Sequence, residues 1–216
     1  SKIHAQLEAP QPELILNTLS GQLSATGVWQ PGGKGQLSAV VDWRRLSLPD
    51  GKIGDLSANI EGPLDELQLN ADLSHPDTAL QMTAVALPDA DGAVLRLQKL
   101  TVRAPDDRNF RLQQATTVRV TPQLIEVPQL CLRADDNSGL CAALQRQHDV
   151  LSGQGHIDRF PLGLLSPWMG AGPWDDTLVS GNWQLPGNDT VTLQGWTVTH
   201  PKANAQLSGT LGLGAP

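Results

Sequence analysis

The sequence predicts an all-β protein built mainly of antiparallel strands. Two observations carry this prediction: an alternation of apolar and polar residues recurs along the whole chain, and turn-forming residues separate its copies. The clearest copies are Leu37–Trp43, Leu67–Leu73 and Leu207–Leu213. Successive residues of a strand point to opposite faces, so each copy has one apolar face and one polar face.

Strands are predicted in order along the chain wherever this alternation holds. Short segments rich in Gly, Pro and Asp, such as Pro49–Gly51, separate nearly all of them. Connections of this length and composition favour antiparallel neighbours. The predicted strands lie around Ile3–Leu7, Leu14–Leu16, Leu19–Trp29, Gly35–Trp43, Leu56–Ile60, Leu67–Leu73, Leu80–Leu87, Val94–Leu97, Leu100–Ala104, Phe110–Gln113, Thr117–Thr121, Leu124–Val127, Leu130–Arg133, Leu140–Gln145, Leu151–Ile157, Leu178–Leu185, Val191–Trp196 and Ala205–Leu213.

One segment, Arg159–Met169, breaks the alternation. Pro161 suits a first helical turn and Pro167 ends a helix, so we expect one short helix near residues 161–166. The chain shows neither a signal peptide nor a membrane-spanning run, which is typical of an internal fragment of a longer chain. We interpret residues 1–216 as a single β-rich, repeat-like module, with a weak subdivision near residues 158–177 as the candidate boundary.

Composition and motifs exclude several classes of function. The net charge is −7, the Lys and Arg residues are scattered, and aromatic residues make up only 4%, so we expect no nucleic-acid partner. The five histidines show no metal-ligand spacing, and the adjacent carboxylate pairs lie in turns. Neither a Gly-x-Ser-x-Gly elbow nor a phosphate-binding loop is present. The sequence therefore predicts a non-enzymatic protein without metal or cofactor.

The two cysteines, Cys131 and Cys141, flank the polar turn Arg133–Gly139. Such a turn lets two adjacent strands pair and brings the sulfur atoms together. A disulfide here would indicate an oxidising compartment. The alternative is two buried free thiols.

The apolar side chains that alternate along the predicted strands form an apolar stripe on one face of the sheet. This stripe must be shielded from water. Even sixteen of the predicted strands, about 4.8 Å apart, would span roughly 75 Å, which is too wide for a flat sheet without helices. The sheet either closes into a sandwich or barrel, or curves so that its apolar side lines a groove. The candidate groove residues are Leu37, Val41, Trp43, Leu56, Ile60, Leu67, Leu69, Leu73, Leu80, Met82, Leu95, Leu97, Leu100, Val102, Leu207 and Leu211.

Three stretches resemble a known family. Val40–Leu48 followed by Leu56–Leu73 is similar to the repeats of the TamB family, the inner-membrane subunits of the translocation and assembly module. The Cys131 and Cys141 hairpin, and Phe160–Trp168 leading into Leu178–Trp183, resemble the paired-cysteine hairpin and the Pro-Leu and Gly-x-Trp segments of that family. The order of these motifs along the chain is more specific than any one of them.

The resemblance to TamB, and to the wider AsmA-like group of bridge-like lipid carriers, implies a fold and a function. The implied fold is an elongated, curved and mainly antiparallel sheet, a taco-like half-barrel trough. The resemblance implies the periplasm of a Gram-negative bacterium, as part of a protein anchored in the inner membrane. It also implies a TamA-like outer-membrane barrel as partner, and a groove that carries phospholipid acyl chains or a client β-strand from an unfolded outer-membrane protein. The alternative is a closed β-sandwich or barrel that serves as a structural or protein-interaction spacer.

Overall fold

The computed structural model describes residues 3–9, 20–47, 53–165, 176–188 and 190–212. They form one antiparallel sheet of 15 strands and a 3-10 helix at Leu162–Leu165. The described part of the chain contains no helix with the length and apolar character that a membrane crossing requires. The strands are β1 (Ile3–Ala9), β2 (Ser20–Gln30), β3 (Gln36–Ser47), β4 (Ile53–Pro63), β5 (Leu67–Ser74), β6 (Ala79–Asp89), β7 (Gly92–Arg103), β8 (Asn109–Leu112), β9 (Thr116–Val120), β10 (Leu124–Arg133), β11 (Gly139–Gln147), β12 (Val150–Pro161), β13 (Leu178–Gly187), β14 (Thr190–His200) and β15 (Ala203–Gly212).

The sheet is a meander in which neighbours along the chain are neighbours in the ladder. The one interruption is the position shared by β8 and β9, both of which pair with β7 and β10. The predicted all-β, mainly antiparallel sheet is thus confirmed. Strand β12 pairs directly with β13, so the ladder continues across residues 158–177. The predicted strand at Leu14–Leu16 lies outside the described residues.

The predicted short helix is reduced to a 3-10 turn. Pro161 does not open it but is the last residue of β12, where it lies opposite Leu178. The Leu162 backbone N–H donates to the Thr177 carbonyl at 2.9 Å, which anchors the start of the turn to the chain entering β13. The first N–H of a helix has no partner within the helix, and here the backbone just before β13 supplies that partner.

Several predicted strand breaks are β-bulges inside longer strands. At each bulge the strand carries an extra residue, so two apolar residues three positions apart point to the same face. Predicted breaks after Leu97 and Val127 were therefore wrong, since β7 and β10 continue through them. The apolar pairs that flank bulges are Trp43 and Leu46, Leu97 and Leu100, Val127 and Leu130, Ile157 and Phe160, and Leu193 and Trp196.

The cross-strand register separates two faces. Residues directly opposite each other in a ladder share a face, and one such row runs Trp43, Leu56, Leu73, Leu80, Val102 and Phe110. We call the side that contains this row the apolar face. The opposite side is the polar face and carries mainly Ser, Thr, Asn, Gln and charged residues, exemplified by the row Ser57, Asp72 and Gln81.

The sheet curls toward its apolar face. The Phe110 and Phe160 rings are 5.3 Å apart between centroids, although β8 and β12 are three ladder positions apart. Three steps span about 14 Å at the normal strand spacing, so the two side chains converge. Around Phe110, which is 0% exposed, a buried cluster gathers residues from β8 to β13 and Leu164 of the 3-10 turn.

The two ends of the strands differ. The turns at residues 75–78, 104–108 and 134–138 and the 3-10 turn share one end, which we call the core rim. The Phe110 cluster and a second cluster around Trp43 and Leu46 lie toward this end. The turns at residues 31–35, 64–66, 90–91, 121–123 and 148–149 form the opposite end, the open rim.

Two turns of the core rim have the same design. Residues 104–108 and 134–138 each begin with a buried Ala whose N–H donates at 2.8 Å to the carbonyl four residues on. The fourth residue, Asp107 or Asn137, has a positive φ of 63° or 66°. Asp and Asn tolerate this conformation better than other side chains, which explains the Asp-Asp and Asp-Asn sequences.

Arg108 ties these turns together. Its Nε donates to Asp106 at 2.7 Å, and its Nη1 donates to the Asp136 carboxylate at 3.4 Å and to the Ser138 hydroxyl at 3.3 Å. Arg159 donates to the Asp136 backbone carbonyl. Two adjacent carboxylate pairs of the sequence, Asp106–Asp107 and Asp135–Asp136, therefore lie in these turns, where the Arg108 guanidinium stands 6.0 Å from the centroid of the Phe110 ring.

We expect the ionisation of Asp136 to make the free energy of unfolding depend on pH in the acidic range. Hydrogen bonds from Ser138, together with the nearby Arg108 and Arg159, hold the pKa of Asp136 below its ordinary value. A carboxylate with a lowered pKa stabilises the fold above pH 4, roughly, and that contribution is lost as the pH falls through the lower, folded-state pKa. Asp136→Asn should reduce stability at pH 7 and flatten its decline toward pH 3, measured as urea midpoints. Asp91→Asn, in an exposed open-rim turn, is the control; an equal flattening there would contradict the assignment.

Glycines of the apolar face leave room for tryptophan. A Cβ at Gly155 would lie 2.6 Å from Trp183 Cε2 and 2.5 Å from the Cys141 carbonyl oxygen. The indole of Trp183 therefore rests on bare backbone of β12, directly opposite Gly155 in the ladder.

Gly155→Ala should lower the free energy of unfolding by about 1–3 kcal/mol, because the indole or the β11 backbone must move to accommodate the methyl group. The matched control is Gly212→Ala, where an added Cβ meets nothing within 4 Å. The control should change stability by less than about 0.5 kcal/mol. Equal effects in urea unfolding would show that the close packing of Trp183 is unimportant.

Candidate functional site: the apolar face

The register places every candidate groove residue on the apolar face. In the first half of the sheet, Leu37 lies opposite Trp29, Ile60 opposite Leu69, and Leu67 opposite Ala86. Leu207 lies opposite Trp196, and Leu211 opposite Val191, at the far end of the sheet. The predicted residues thus lie on one face of the sheet, in strands β3 to β7 and in β15.

The candidate residues retain contact with solvent. Only Trp43 and Leu97 among them are buried. Leu207 and Leu211, on the edge strand β15, are 49% and 55% exposed, and the others are half-buried. Side chains between two packed sheets would be almost fully buried. The partial exposure of the described residues therefore fits the surface of a single sheet better than the core between two sheets.

The exposure is concentrated at one end of the strands. In strands β2 to β12, the large apolar side chains of this face that are exposed lie near the open rim, whereas many of those near the core rim pack in the two clusters. Val120, Ile125 and Leu151 of the apolar face are 40%, 40% and 39% exposed. The apolar face therefore has a packed floor at the core rim and an accessible mouth at the open rim.

The sequence reasoning missed most of the second half of this face. The missing residues follow the same alternation, but bulges in β10, β12 and β14 shift its phase. An i, i+3 pair of apolar residues within a strand was the signal that could have found them. They include Phe110, Leu112, Val120, Ile125, Leu132, Leu140, Leu144, Leu151, Ile157, Val179, Trp183, Leu193, Trp196 and Val198.

The cysteines lie on the polar face. Cys131 of β10 and Cys141 of β11 are direct cross-strand partners at disulfide distance, with Cα atoms 4.1 Å apart. They lie beside the gap in the ladder between β8 and β9, where β10 carries a bulge. The Gln113 N–H reaches the Cys131 carbonyl at 3.0 Å, and the Thr116 hydroxyl donates to the Gln129 carbonyl. The pair is therefore placed to hold the ladder together, away from the apolar face.

The other polar candidates do not assemble into a site. Within the described ranges, no group of three or more His, Cys, Asp or Glu side chains is placed to hold a metal ion. His156 pairs with Asn182 at 2.9 Å on the polar face, and His75 is buried in a core-rim turn.

We expect the disulfide to stabilise the fold when it forms. Replacing both cysteines by serine should lower the free energy of unfolding by about 2–3 kcal/mol, because the cross-link closes a ten-residue loop in the unfolded chain. Thiol counting on denatured, non-reduced protein exported to an oxidising compartment provides the matching measurement. Two free thiols in that protein would contradict the prediction.

No protein-family model, no curated protein and no solved structure matches this chain.

Proposed function

We propose that this chain is a non-enzymatic, periplasmic segment of a TamB-like protein that is anchored in the inner membrane. Its apolar face serves as a groove for phospholipid acyl chains that move between the inner and outer membranes, in support of outer-membrane protein assembly. A TamA-like outer-membrane barrel is the proposed partner of the full-length protein. This role rests on the sequence resemblance and on the chemistry of the apolar face.

The observation that carries the proposal is the continuity of a partly exposed apolar face across the ladder. Each CH₂ group that leaves water for such a surface gains about 0.8 kcal/mol. Because apolar side chains repeat from strand to strand, an acyl chain meets similar surroundings at each position. A uniform surface of this kind favours lateral movement over tight binding at one place.

A second cargo is suggested by the edge strand β15. All of its residues are exposed, and from Ala203 to Gly212 it contains no Pro and no charged residue. Edges of this kind readily accept another strand. A client β-strand that pairs here would continue the apolar face, which fits the alternative cargo of an unfolded outer-membrane protein.

The decisive test places one charge on either side of the same strand. Leu69 lies on the apolar face of β5, and Gln68 precedes it on the polar face. Leu69→Arg should weaken binding of dodecyl maltoside to the purified chain at least tenfold, because the guanidinium adds a desolvation cost of several kcal/mol to acyl-chain contact. Gln68→Arg should leave binding unchanged. Titration calorimetry below the micellar concentration measures both.

Three outcomes separate the alternatives. Loss of binding only in the folded Leu69→Arg variant supports the groove. Unfolding of Leu69→Arg, with Gln68→Arg stable and no detergent bound by the wild type, indicates a closed core and the spacer alternative. Normal binding by both variants would mean that this part of the apolar face is not the path.

A further inference from the structure

One charge interrupts the chemistry of the apolar face. In strands β2 to β15, Arg146 is the only Asp, Glu, Lys or Arg that the register places on this face. It lies near the end of β11, directly opposite Ile125 of β10 and Leu151 of β12. The cation therefore stands at the open rim, among the exposed apolar side chains of the mouth.

A cavity of about 300 Å³ opens beside Arg146. Its lining combines the Arg146 side chain with polar groups of two open-rim turns, and with Ile125 from the apolar face. The polar lining residues are Thr121, Gln123, His148 and Asp149. A cavity that joins a cation and hydroxyl, amide and imidazole groups to an apolar surface suits an amphiphile.

The existing contacts of Arg146 do not account for its position. Its ion partner is Asp149, at 3.4 Å, and the Asp149 side chain is 98% exposed. An exposed pair of this kind contributes about 0–1 kcal/mol to stability. The guanidinium can exchange such a partner for a better acceptor, and a phosphate oxygen pair matches its planar donors.

We propose that Arg146 and this cavity bind the anionic phosphate headgroup of an amphiphile whose acyl chains lie on the apolar face. The inference rests on the proposed function and adds an orientation to it. The headgroup sits at the open rim, and the chains run along the strands toward the core rim. From Arg146 to Leu140, the six residue-to-residue steps of β11 span about 20 Å. This exceeds the roughly 15 Å that the acyl chains of one leaflet occupy in a bilayer.

Two amphiphiles that share a dodecyl group test the proposal. The purified protein is titrated with dodecyl phosphate and with dodecyl maltoside below their micellar concentrations, and with inorganic phosphate alone. Arg146→Gln should weaken dodecyl phosphate binding about tenfold and leave dodecyl maltoside binding unchanged. Arg96→Gln removes the same charge from the polar face of β7 and should change neither.

A second variant keeps Arg146 in place. Asp149→Asn removes a competing carboxylate from the cavity and should tighten dodecyl phosphate binding several-fold while dodecyl maltoside binding stays constant. This variant decides the question if Arg146→Gln fails to fold.

The outcomes are distinguishable. Binding of dodecyl maltoside without any effect of Arg146→Gln or Asp149→Asn on dodecyl phosphate overturns the headgroup site and leaves the groove intact. Equal affinity for inorganic phosphate and dodecyl phosphate overturns it as well, because the cavity would then be a site for free anions. Failure of the wild-type chain to bind either amphiphile overturns the proposed function together with this inference.

Discussion

The structure depends on one constraint, the need to keep apolar side chains on the same face of a single sheet over its whole width. A one-residue slip in any ladder would move an entire set of Leu and Val residues to the polar face. Five bulges each add one residue, so that apolar side chains three positions apart in the sequence still point to the same face. They lie next to Trp43, Leu97, Val127, Ile157 and Leu193. The bulges are therefore what keeps the apolar face continuous.

This constraint also explains which parts of the fold the sequence could reveal. Alternation and short turns are both local signals, so the strands follow from the first and their antiparallel order follows from the second. A bulge breaks alternation just as a strand end does, and local reasoning cannot tell the two apart at Leu97 or Val127. Arg45 and Arg159, with φ values of 54° and 43°, carry no residue signal for a positive φ, since Arg is not a residue type that favours it.

The candidate site was predictable to a similar degree. The apolar stripe of the first half needed only period-two alternation, and the register places all of its members on one face. The role of Arg146 could not be predicted, because a charged residue at a strand end is normally expected to be solvated. Only the register shows that its neighbours across the ladder are Ile125 and Leu151. The difference between the two rims was also hidden, since it arises from curvature that brings Phe110 and Phe160 together.

Curvature and packing give the two rims different properties: the core rim is packed, and the open rim is exposed to solvent. At the core rim, the Phe110 cluster, the Arg108 network and the 3-10 turn bury apolar side chains and satisfy their polar neighbours. At the open rim, Ile125 and Leu151 have no such cover. Segments with few buried contacts open at low free-energy cost, whereas those in a packed cluster do not. In the proposed groove, the core rim would hold the shape and the open rim would exchange the contents, so the two tasks would fall to different residues.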